Sequence, residues 1–173
     1  NLTKVEEPKP TGGTYITNYT YTPFGQLATV TMTRNGYSGH TVLSSVTQTR
    51  TFNYNANGHL TSTVFPETNG TTTYAPNSDG TVSSKLDYKG VRKYFYGLGK
   101  RLERVERYPG ATSVAGATNE DAKGHVDYYY DSVPASIPTN FQGTYRQGRL
   151  AATRFNCSAF VLGNLTGCTY ELY

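Results

Sequence analysis

Tryptophan is absent from this chain of 173 residues, and methionine occurs only once. Charged residues make up 16% of the chain, compared with about a quarter of an ordinary soluble domain. No apolar run approaches the roughly 18 residues that a membrane-spanning helix needs. We therefore expect a thin hydrophobic core and no membrane insertion.

Histidine and cysteine are also scarce, with three and two copies. Neither Cys157 nor Cys168 has a second ligand at C-x-x-C spacing, so we expect no zinc site. The segment from Asn53 to Gly58 begins like a calcium loop, but it lacks carboxylates, and Val64 stands where the bidentate Glu belongs. We interpret this segment as turn chemistry and expect neither a metal nor a cofactor.

The two cysteines leave two alternatives open. Cys157 and Cys168 form a disulfide that closes a short loop, which would indicate an oxidising compartment, or they remain as two buried thiols. We favour the disulfide, and with it an extracellular or cell-surface location.

Motifs for catalysis are missing as well. The chain has neither a G-x-S-x-G elbow nor an H-E-x-x-H pair. Asp127 and Asp131 lie four residues apart on a predicted strand, and paired carboxylates can hydrolyse glycosides. A turn role for Asp131 is the simpler interpretation, so we expect no enzymatic activity.

Tyrosine, by contrast, is abundant, with 16 copies beside 7 Phe. Tyr, Thr and Val favour strands, because flat or branched side chains pack well on a pleated surface. A tyrosine can also pack its ring while its hydroxyl stays in water, which suits a half-buried sheet face. Because no stretch shows a sustained 3.6-residue apolar period, we expect almost no helix.

One short unit recurs along the chain. It consists of alternating aromatic residues, a polar turn that ends in Gly, and an aliphatic residue two positions later. Four copies contain Tyr19-Thr20-Tyr21, Phe52-Asn53-Tyr54, Tyr74 and Tyr94-Phe95-Tyr96, with turns at 22–25, 55–58, 77–80 and 97–100. A fifth copy runs from Tyr128-Tyr129-Tyr130-Asp131 to Gly148-Arg149-Leu150 and contains a long insertion.

The unit has the chemistry of a β-hairpin. Its alternating aromatics share one strand face, Asn or Asp opens a type I turn, and Gly accepts a positive φ. Further turns at Arg34-Asn35-Gly36 and Thr68-Asn69-Gly70 would join successive hairpins. The sequence therefore predicts an all-β fold, an antiparallel β-hairpin repeat meander that forms a twisted, curved sheet. The predicted core consists of Tyr19, Tyr21, Leu27, Val30, Phe52, Tyr54, Leu60, Val64, Val82, Leu86, Tyr94, Tyr96, Leu102, Val105, Tyr130 and Leu150.

The unit Y-x-Y-D-x-x-G-R-L resembles the YD repeat of the RHS-repeat proteins. Tyr130-Asp131 and Gly148-Arg149-Leu150 carry its signature letters, and the segment from Arg101 to Val105 is similar to its second half. The turn Asp is replaced in the other copies, and Lys100 stands where the turn Gly is usual. The resemblance extends over roughly residues 15–173.

The resemblance implies a sheet that spirals into a hollow shell, of which this chain would be one arc. Full-length relatives include bacterial secreted or surface proteins, toxin-complex subunits and animal teneurins. Several of them enclose a C-terminal toxin, others act in adhesion, and carbohydrate binding has been proposed for the repeats. We expect a non-catalytic structural segment of such a scaffold, with flanking repeats of the parent chain as its partners. The alternative is a carbohydrate-binding or adhesion module that uses a Tyr-rich, basic face.

The predicted organisation is an extended lead-in over residues 1–13 and a YD-repeat β domain over residues 14–173. Insertions are expected near 37–48, 109–124 and 132–147. Loops on a rigid scaffold often carry binding function, but we favour neutral surface insertions. Open sheet edges predict self-association or edges that the insertions cover.

The most highly charged stretch runs from Lys85 to Arg107, in a chain with a net charge of +4. Basic side chains beside exposed rings can bind an anionic glycan by charge and stacking. The candidate ligand-binding residues are Lys85, Lys89, Arg92, Lys93, Tyr94, Tyr96, Arg101 and Arg104. The alternative is a solvated strand face whose cations protect the sheet edges. We expect no nucleic-acid partner, because no RRM, KH or OB motif is present.

Overall fold

The computed structural model describes residues 1–9, 14–38, 41–68, 70–132, 135, 148–161 and 164–173. It describes the side chains of all these residues except 35–38 and 41–44. The chain divides into two compact units, Asn1–Pro76 and Asn77–Tyr173. Each unit is built from antiparallel strands that follow one another in chain order. The expected all-β antiparallel meander is therefore confirmed.

The described residues of the first unit form six strands. They are β1 (Lys4–Pro8), β2 (Thr14–Tyr21), β3 (Leu27–Ser38), β4 (Thr41–Tyr54), β5 (Leu60–Phe65) and β6 (Gly70–Pro76). A short 3₁₀ turn, Pro66–Thr68, joins the last two. β1 pairs with β2 from Lys4↔Asn18 to Pro8↔Thr14, so part of the expected lead-in is a strand of the sheet.

In the part of the second unit that the structure describes, six strands form a meander and two more form a separate small hairpin. The meander consists of β7 (Val82–Asp87), β8 (Gly90–Tyr96), β9 (Leu102–Pro109), β10 (Val126–Tyr130), β11 (Leu150–Phe155) and β14 (Thr169–Leu172). The small hairpin pairs β12 (Ala159–Val161) with β13 (Asn164–Thr166). Helical structure in the described residues amounts to three short 3₁₀ turns, the second and third at Leu98–Lys100 and Ala122–Gly124, as the lack of a helical period predicts.

Four turns of the repeat close with the same pair of backbone hydrogen bonds. In the second copy, Asn55 N–H donates to His59 O at 2.9 Å, and Gly58 N–H donates back to Asn55 O at 3.0 Å. The turns that begin at Thr22, Asn77 and Gly97 repeat both bonds. The fourth turn position has a positive φ each time, at Gly25, Gly58, Gly80 and Lys100. The sequence unit is therefore also a unit of structure.

The fifth copy closes in a related way across its insertion. Asp131 N–H donates to Arg149 O at 3.1 Å, and the Asp131 carboxylate accepts from Gly148 N–H at 2.6 Å. Gly148 again has a positive φ, of 75°. The insertion thus enters inside the turn, while the strands on both sides keep the geometry of a hairpin.

Strand register repeats along with the turns. The residue before each turn pairs with the aliphatic residue after it, beside a one-residue irregularity, in the pairs Tyr21↔Leu27, Tyr54↔Leu60, Tyr96↔Leu102 and Tyr130↔Leu150. The pairing between successive hairpins also repeats. The residue two positions after the aliphatic residue of one unit pairs with the residue directly before the first aromatic residue of the next unit. These pairs are Lys4↔Asn18, Thr29↔Thr51, Ser62↔Thr73, Ser84↔Lys93, Arg104↔Asp127 and Ala152↔Leu172.

The predicted turn at Arg34-Asn35-Gly36 is wrong. β3 continues through Ser38, and its pairing with β4 passes from Asn35↔Ser45 to Tyr37↔Val42 across an irregularity in register. The Asn-Gly pair therefore lies in a bulge, because the freedom of Gly suits a bulge as well as a turn. Residues 37–38 and 41–48 belong to these strands rather than to an insertion.

The core is as thin as the composition predicts. The buried apolar residues of the described chain are Val91, Tyr108, Ala117, Ala122, Ala151, Ala152 and Cys157. Every residue of the predicted core is only half-buried, except Val64, which is exposed. The aromatic and aliphatic residues lie on sheet faces covered mainly by their strand neighbours, so their outer surfaces stay in contact with water.

Candidate functional site

The eight candidate ligand-binding residues do not share one face of the sheet in the second unit, because successive side chains of a strand point to opposite faces. Lys85 lies opposite Arg92, and Tyr94 and Tyr96 follow on the same face. Lys93 lies opposite Glu106 and Arg104 opposite Phe95, both on the other face. Lys89 and Arg101 lie beside the turns, outside the strands. The eight residues therefore do not form one continuous surface.

On the first face, the two cations are paired with one carboxylate. Asp87 Oδ2 lies 3.0 Å from Lys85 Nζ and 3.5 Å from Arg92 Nη1. Burial opposes the charge of Asp87, but the hydrogen bond from Lys85 and the nearby cations outweigh it and lower the pKa of this carboxyl. Tyr96 donates its hydroxyl to Val82 O at 3.1 Å, and burial raises the pKa of Tyr94.

On the second face, each of the two candidate cations lies against an aromatic ring. Lys93 Nζ lies 4.5 Å from the centre of the Tyr108 ring and donates to Ala117 O at 3.4 Å. The Arg104 guanidinium lies 4.1 Å from the centre of the Phe95 ring. Its Nε is 3.1 Å from Glu106 Oε1, an ion pair without hydrogen-bond geometry.

The two cations beside the turns are also engaged. Arg101 Nη2 donates to Asp131 Oδ2 at 2.9 Å and the guanidinium stacks 4.8 Å from the Tyr130 ring centre. Lys89 Nζ lies 5.4 Å from the ring centre of Tyr88. All six basic side chains of the predicted set therefore already contact a ring, a carboxylate or a carbonyl within the chain.

The second face carries a groove formed by three adjoining cavities of about 720, 530 and 300 Å³. Phe95 lines the first and the second, while Arg104 and Asp127 line the second and the third. We refer to these three cavities together as the groove. It runs beside β8, β9 and β10, with its third cavity reaching β11 and the β12–β13 hairpin.

The middle cavity holds donors, acceptors and rings together. Arg101 and Arg104 can donate, Asp127 and Asp131 can accept, and Tyr129 contributes a ring. The exposed Glu103 also borders the cavity, and its carboxylate lies so close to Gly97 that a Cβ there would clash with Oε1. Gly97 therefore allows the Glu103 carboxylate to fold onto the turn.

The third cavity is lined by a buried charge cluster. His125 is only 4% exposed and contacts Glu120 Oε1 through Nδ1 at 2.5 Å and Asp127 Oδ2 through Nε2 at 3.0 Å. Arg154 donates to the same Asp127 oxygen from Nε at 2.9 Å and from Nη2 at 2.6 Å. The Phe160 ring meets the imidazole edge-on, with centroids 6.1 Å apart.

Burial and charge compete in this cluster. Burial by itself would lower the pKa of His125, but the hydrogen bonds with Asp127 and Glu120 raise it above 6.5. Burial would raise the pKa of Asp127, yet its bonds with His125 and Arg154 lower it. For Glu120, burial prevails and the pKa is raised in spite of the contact with His125.

A disulfide supports the base of the β12–β13 hairpin, which carries Phe160. Cys157 and Cys168 are bonded, and Cys157 is completely buried. Ser158 N–H donates to Thr166 O at 2.9 Å directly inside the bridge. The disulfide therefore fixes the segment that covers one side of His125.

The calcium-like segment of the sequence is a turn in the structure. Asn55 Oδ1 in the calcium-like segment accepts from Asn57 N–H at 3.0 Å and His59 N–H at 2.9 Å, which is turn chemistry. Within the described residues, no group of three His, Cys, Asp or Glu side chains could hold a metal. None of the helices in the described part of the chain is long and apolar enough to span a membrane.

Sequence reasoning missed the cluster around His125. Glu120, His125 and Arg154 lie on a connecting segment, a strand start and a later strand, so no local motif joins them. The Asp127–Arg154 pair depends on the register of β10 with β11, across the insertion of the fifth copy. Only a correct alignment of that long hairpin could have placed these two residues opposite each other.

Comparison with known proteins adds little. No protein-family model matches the chain, and no curated protein matches it. Among solved structures, the chain is similar to a porin-like protein from Bacteroides uniformis, with 15% sequence identity and a TM-score of 0.37. The match covers 98% of this chain and 55% of that protein, so the chain spans about half its length.

Proposed function

We propose that this chain is a non-catalytic structural segment of a secreted or cell-surface scaffold of the RHS/YD-repeat type. The parent protein would enclose a C-terminal toxin, and flanking repeats of that parent would be the partners of this segment. The observation that carries the proposal is the repetition of turn and register together. Four copies close with the same two backbone bonds, and the fifth retains its closing bond across an insertion.

The polar chemistry of the chain also supports a structural role. The cations of the basic stretch contact carboxylates, rings or carbonyls of the same chain. Asp127 and Asp131, the pair that sequence alone placed together, have separate partners, since Arg154 holds the first and Arg101 the second. Neither carboxylate is left free for acid–base work in this arrangement.

The reading frame that encodes the segment tests this proposal. We expect many more copies of the unit upstream, and a cleavage motif followed by a variable C-terminal domain downstream. Purified full-length parent protein should then protect that C-terminal domain from added protease. A frame without further copies of the unit would overturn the proposal.

The second candidate is a carbohydrate-binding or adhesion module, and the groove is the observation that favours it. Its middle cavity combines rings with guanidinium and carboxylate groups, which are suited to stacking and to hydrogen bonds with hydroxyl groups. Its charges are mixed, so a ligand there need not be anionic. Anionic glycan remains the ligand class expected for the Lys85–Arg92 face.

Retention on heparin and on a neutral polysaccharide separates the two faces. Arg92→Ala removes a cation from one face, and Arg104→Ala removes one from the groove. Salt-sensitive retention on heparin that only Arg92→Ala weakens assigns binding to the first face. Retention on the neutral matrix that only Arg104→Ala weakens assigns it to the groove. Passage of the unmodified chain through both columns would count against the module.

A further inference from the structure

Residues 110–124 form a strap that crosses from β9 to β10 and covers part of one sheet face. Ala117 of the strap packs on Val91 and Tyr108, and these three residues are 6%, 1% and 7% exposed. The strap is attached by Asp121 N–H, which donates to Arg107 O at 2.8 Å, and by Lys93, which donates to Ala117 O. It thus keeps water from the most buried apolar residues of the meander.

One buried ion pair fixes the far end of the strap. Glu120, on the strap, contacts Nδ1 of His125, the residue directly before β10. The elements packed around the imidazole bring these groups: Asp127 on β10, Arg154 on β11, Arg104 and Glu106 on β9, and the uncharged Phe160 on β12 with Asn164 and Leu165 on β13. The imidazole therefore lies between two carboxylates, one on the strap and one on the sheet.

This position suits only the charged form of histidine. An imidazolium donates from both ring nitrogens, whereas the neutral ring has one donor and one lone pair. When the ring is neutral, one of the two carboxylates must face that lone pair. Asp127 keeps two hydrogen bonds from Arg154, while Glu120 has no second hydrogen bond among the residues that the structure describes and is attracted, besides His125, by the charge of Arg104 alone. When the ring becomes neutral, Glu120 therefore loses more of its favourable contacts than Asp127 does.

We propose that the strap is a pH-sensitive cover, held closed while His125 is charged and released when His125 becomes neutral. Release separates Glu120 from the sheet and opens the strap end of the groove. It also exposes the Tyr108 ring and Val91, an apolar surface that is covered in the closed form.

The direction of the effect follows from the folded-state pKa of His125, which is raised above 6.5. A raised pKa means that the contribution of the ion pair to closure is fully present below pH 6.5 and is lost as the pH rises through the raised value. Towards acid, Glu120 becomes protonated earlier than an ordinary Glu because burial raises its pKa. The strap is therefore most firmly closed in mildly acidic solution.

Hydrogen–deuterium exchange of the intact chain tests the proposal. The amide of Asp121 should lose protection between pH 6 and about pH 9, after correction for the intrinsic exchange rate, because the ion pair with Glu120 is lost as His125 becomes neutral. The β8 amides serve as the internal control and should keep their protection. Unchanged protection of Asp121 across this range would overturn the proposal.

Two variants assign the effect to the ion pair. Glu120→Gln can still bond to a neutral ring but carries no charge, so protection of the strap should become independent of pH. His125→Gln should leave the strap poorly protected at every pH. The matched control His59→Gln removes a histidine from the first unit and should retain the wild-type profile. A pH dependence that survives Glu120→Gln in a folded protein would contradict the proposal, even if His125→Gln does not fold.

Discussion

The hydroxyl of Tyr54 donates a hydrogen bond of 2.9 Å to the backbone carbonyl of Leu27, the aliphatic residue that follows the preceding turn. Tyr21 makes the same bond to Leu2 O at 2.6 Å, and Tyr96 makes it to Val82 O at 3.1 Å. In these three copies, the second aromatic of the unit thus ties its hairpin to the preceding segment of the chain. This bond gives the tyrosine of the repeat a role that phenylalanine could not fill.

Replacing that tyrosine should therefore cost stability. Tyr54→Phe removes the bond and leaves a half-buried carbonyl with one partner fewer, so we expect a loss of about 1 kcal/mol in the free energy of unfolding. Urea unfolding of the two proteins measures the difference. Tyr19→Phe is the control, because the Tyr19 hydroxyl makes no hydrogen bond within the described residues, and it should change the value little. Equal losses in both variants would show that the bond has no special role.

The turn glycines lead to a second prediction. Gly25 has a φ of 79° and open space around it, with the nearest atom to an added Cβ at 3.6 Å. Gly25→Ala should therefore destabilise by backbone strain alone, by about 1–2 kcal/mol. Gly70→Ala is the matched control in the same unit, since Gly70 has no positive φ and no neighbour within 4 Å. Thermal unfolding measures the two variants. Equal shifts of their melting temperatures would contradict the strain argument.

Local chemistry is what made most of the fold predictable. Asn55 and Gly58 specify their turn within four residues, and the alternation around Tyr54 specifies which face is aromatic. The Asn35-Gly36 signal failed because the same residue types serve a bulge when the flanking strands continue to pair. Lys93 and Arg92 lie on opposite faces of the sheet because successive side chains of a strand alternate between the two faces. Placing Arg104 required the one-residue irregularity between Phe95 and Tyr96 as well.

The charge cluster was beyond local reasoning because its burial and its link to Arg154 arise through tertiary structure, although Glu120, His125 and Asp127 lie close together in the sequence. His125 is a single histidine with no motif around it, and nothing near Glu120 indicates burial. Arg154 reaches Asp127 across 27 residues of chain. Such contacts depend on the path of the strap and of the fifth hairpin, which the repeat pattern does not determine.

The Asp127–Arg154 pair predicts how the second unit responds to acid. The bonds from His125 and Arg154 lower the pKa of Asp127 below 3.8. Its contribution to stability is therefore present above that value and is lost as the pH falls through the folded-state pKa. Asp127→Asn should cost about 3 kcal/mol near neutral pH, because it leaves a largely buried Arg154 without its carboxylate.

Urea unfolding at several pH values checks this prediction, since the difference between wild type and Asp127→Asn should shrink below about pH 4. Asp131→Asn is the control. Its carboxylate also has a lowered pKa, through Arg101 and Gly148, but it is exposed and should matter far less. A difference that stays constant down to the acid transition would exclude Asp127 as its source.

The disulfide predicts a local rather than a global loss. Cys157–Cys168 joins residues 11 apart in sequence, which corresponds to about 3 kcal/mol in the chain-entropy model. In the double variant Cys157→Ser with Cys168→Ser, hydrogen exchange should speed up in residues 158–161 and 164–167, on both sides of the small hairpin. Exchange in β8 should change little, because its pairing with β7 and β9 does not involve the bridge. Unfolding of the whole second unit in this variant would instead show that the bridge supports the meander itself.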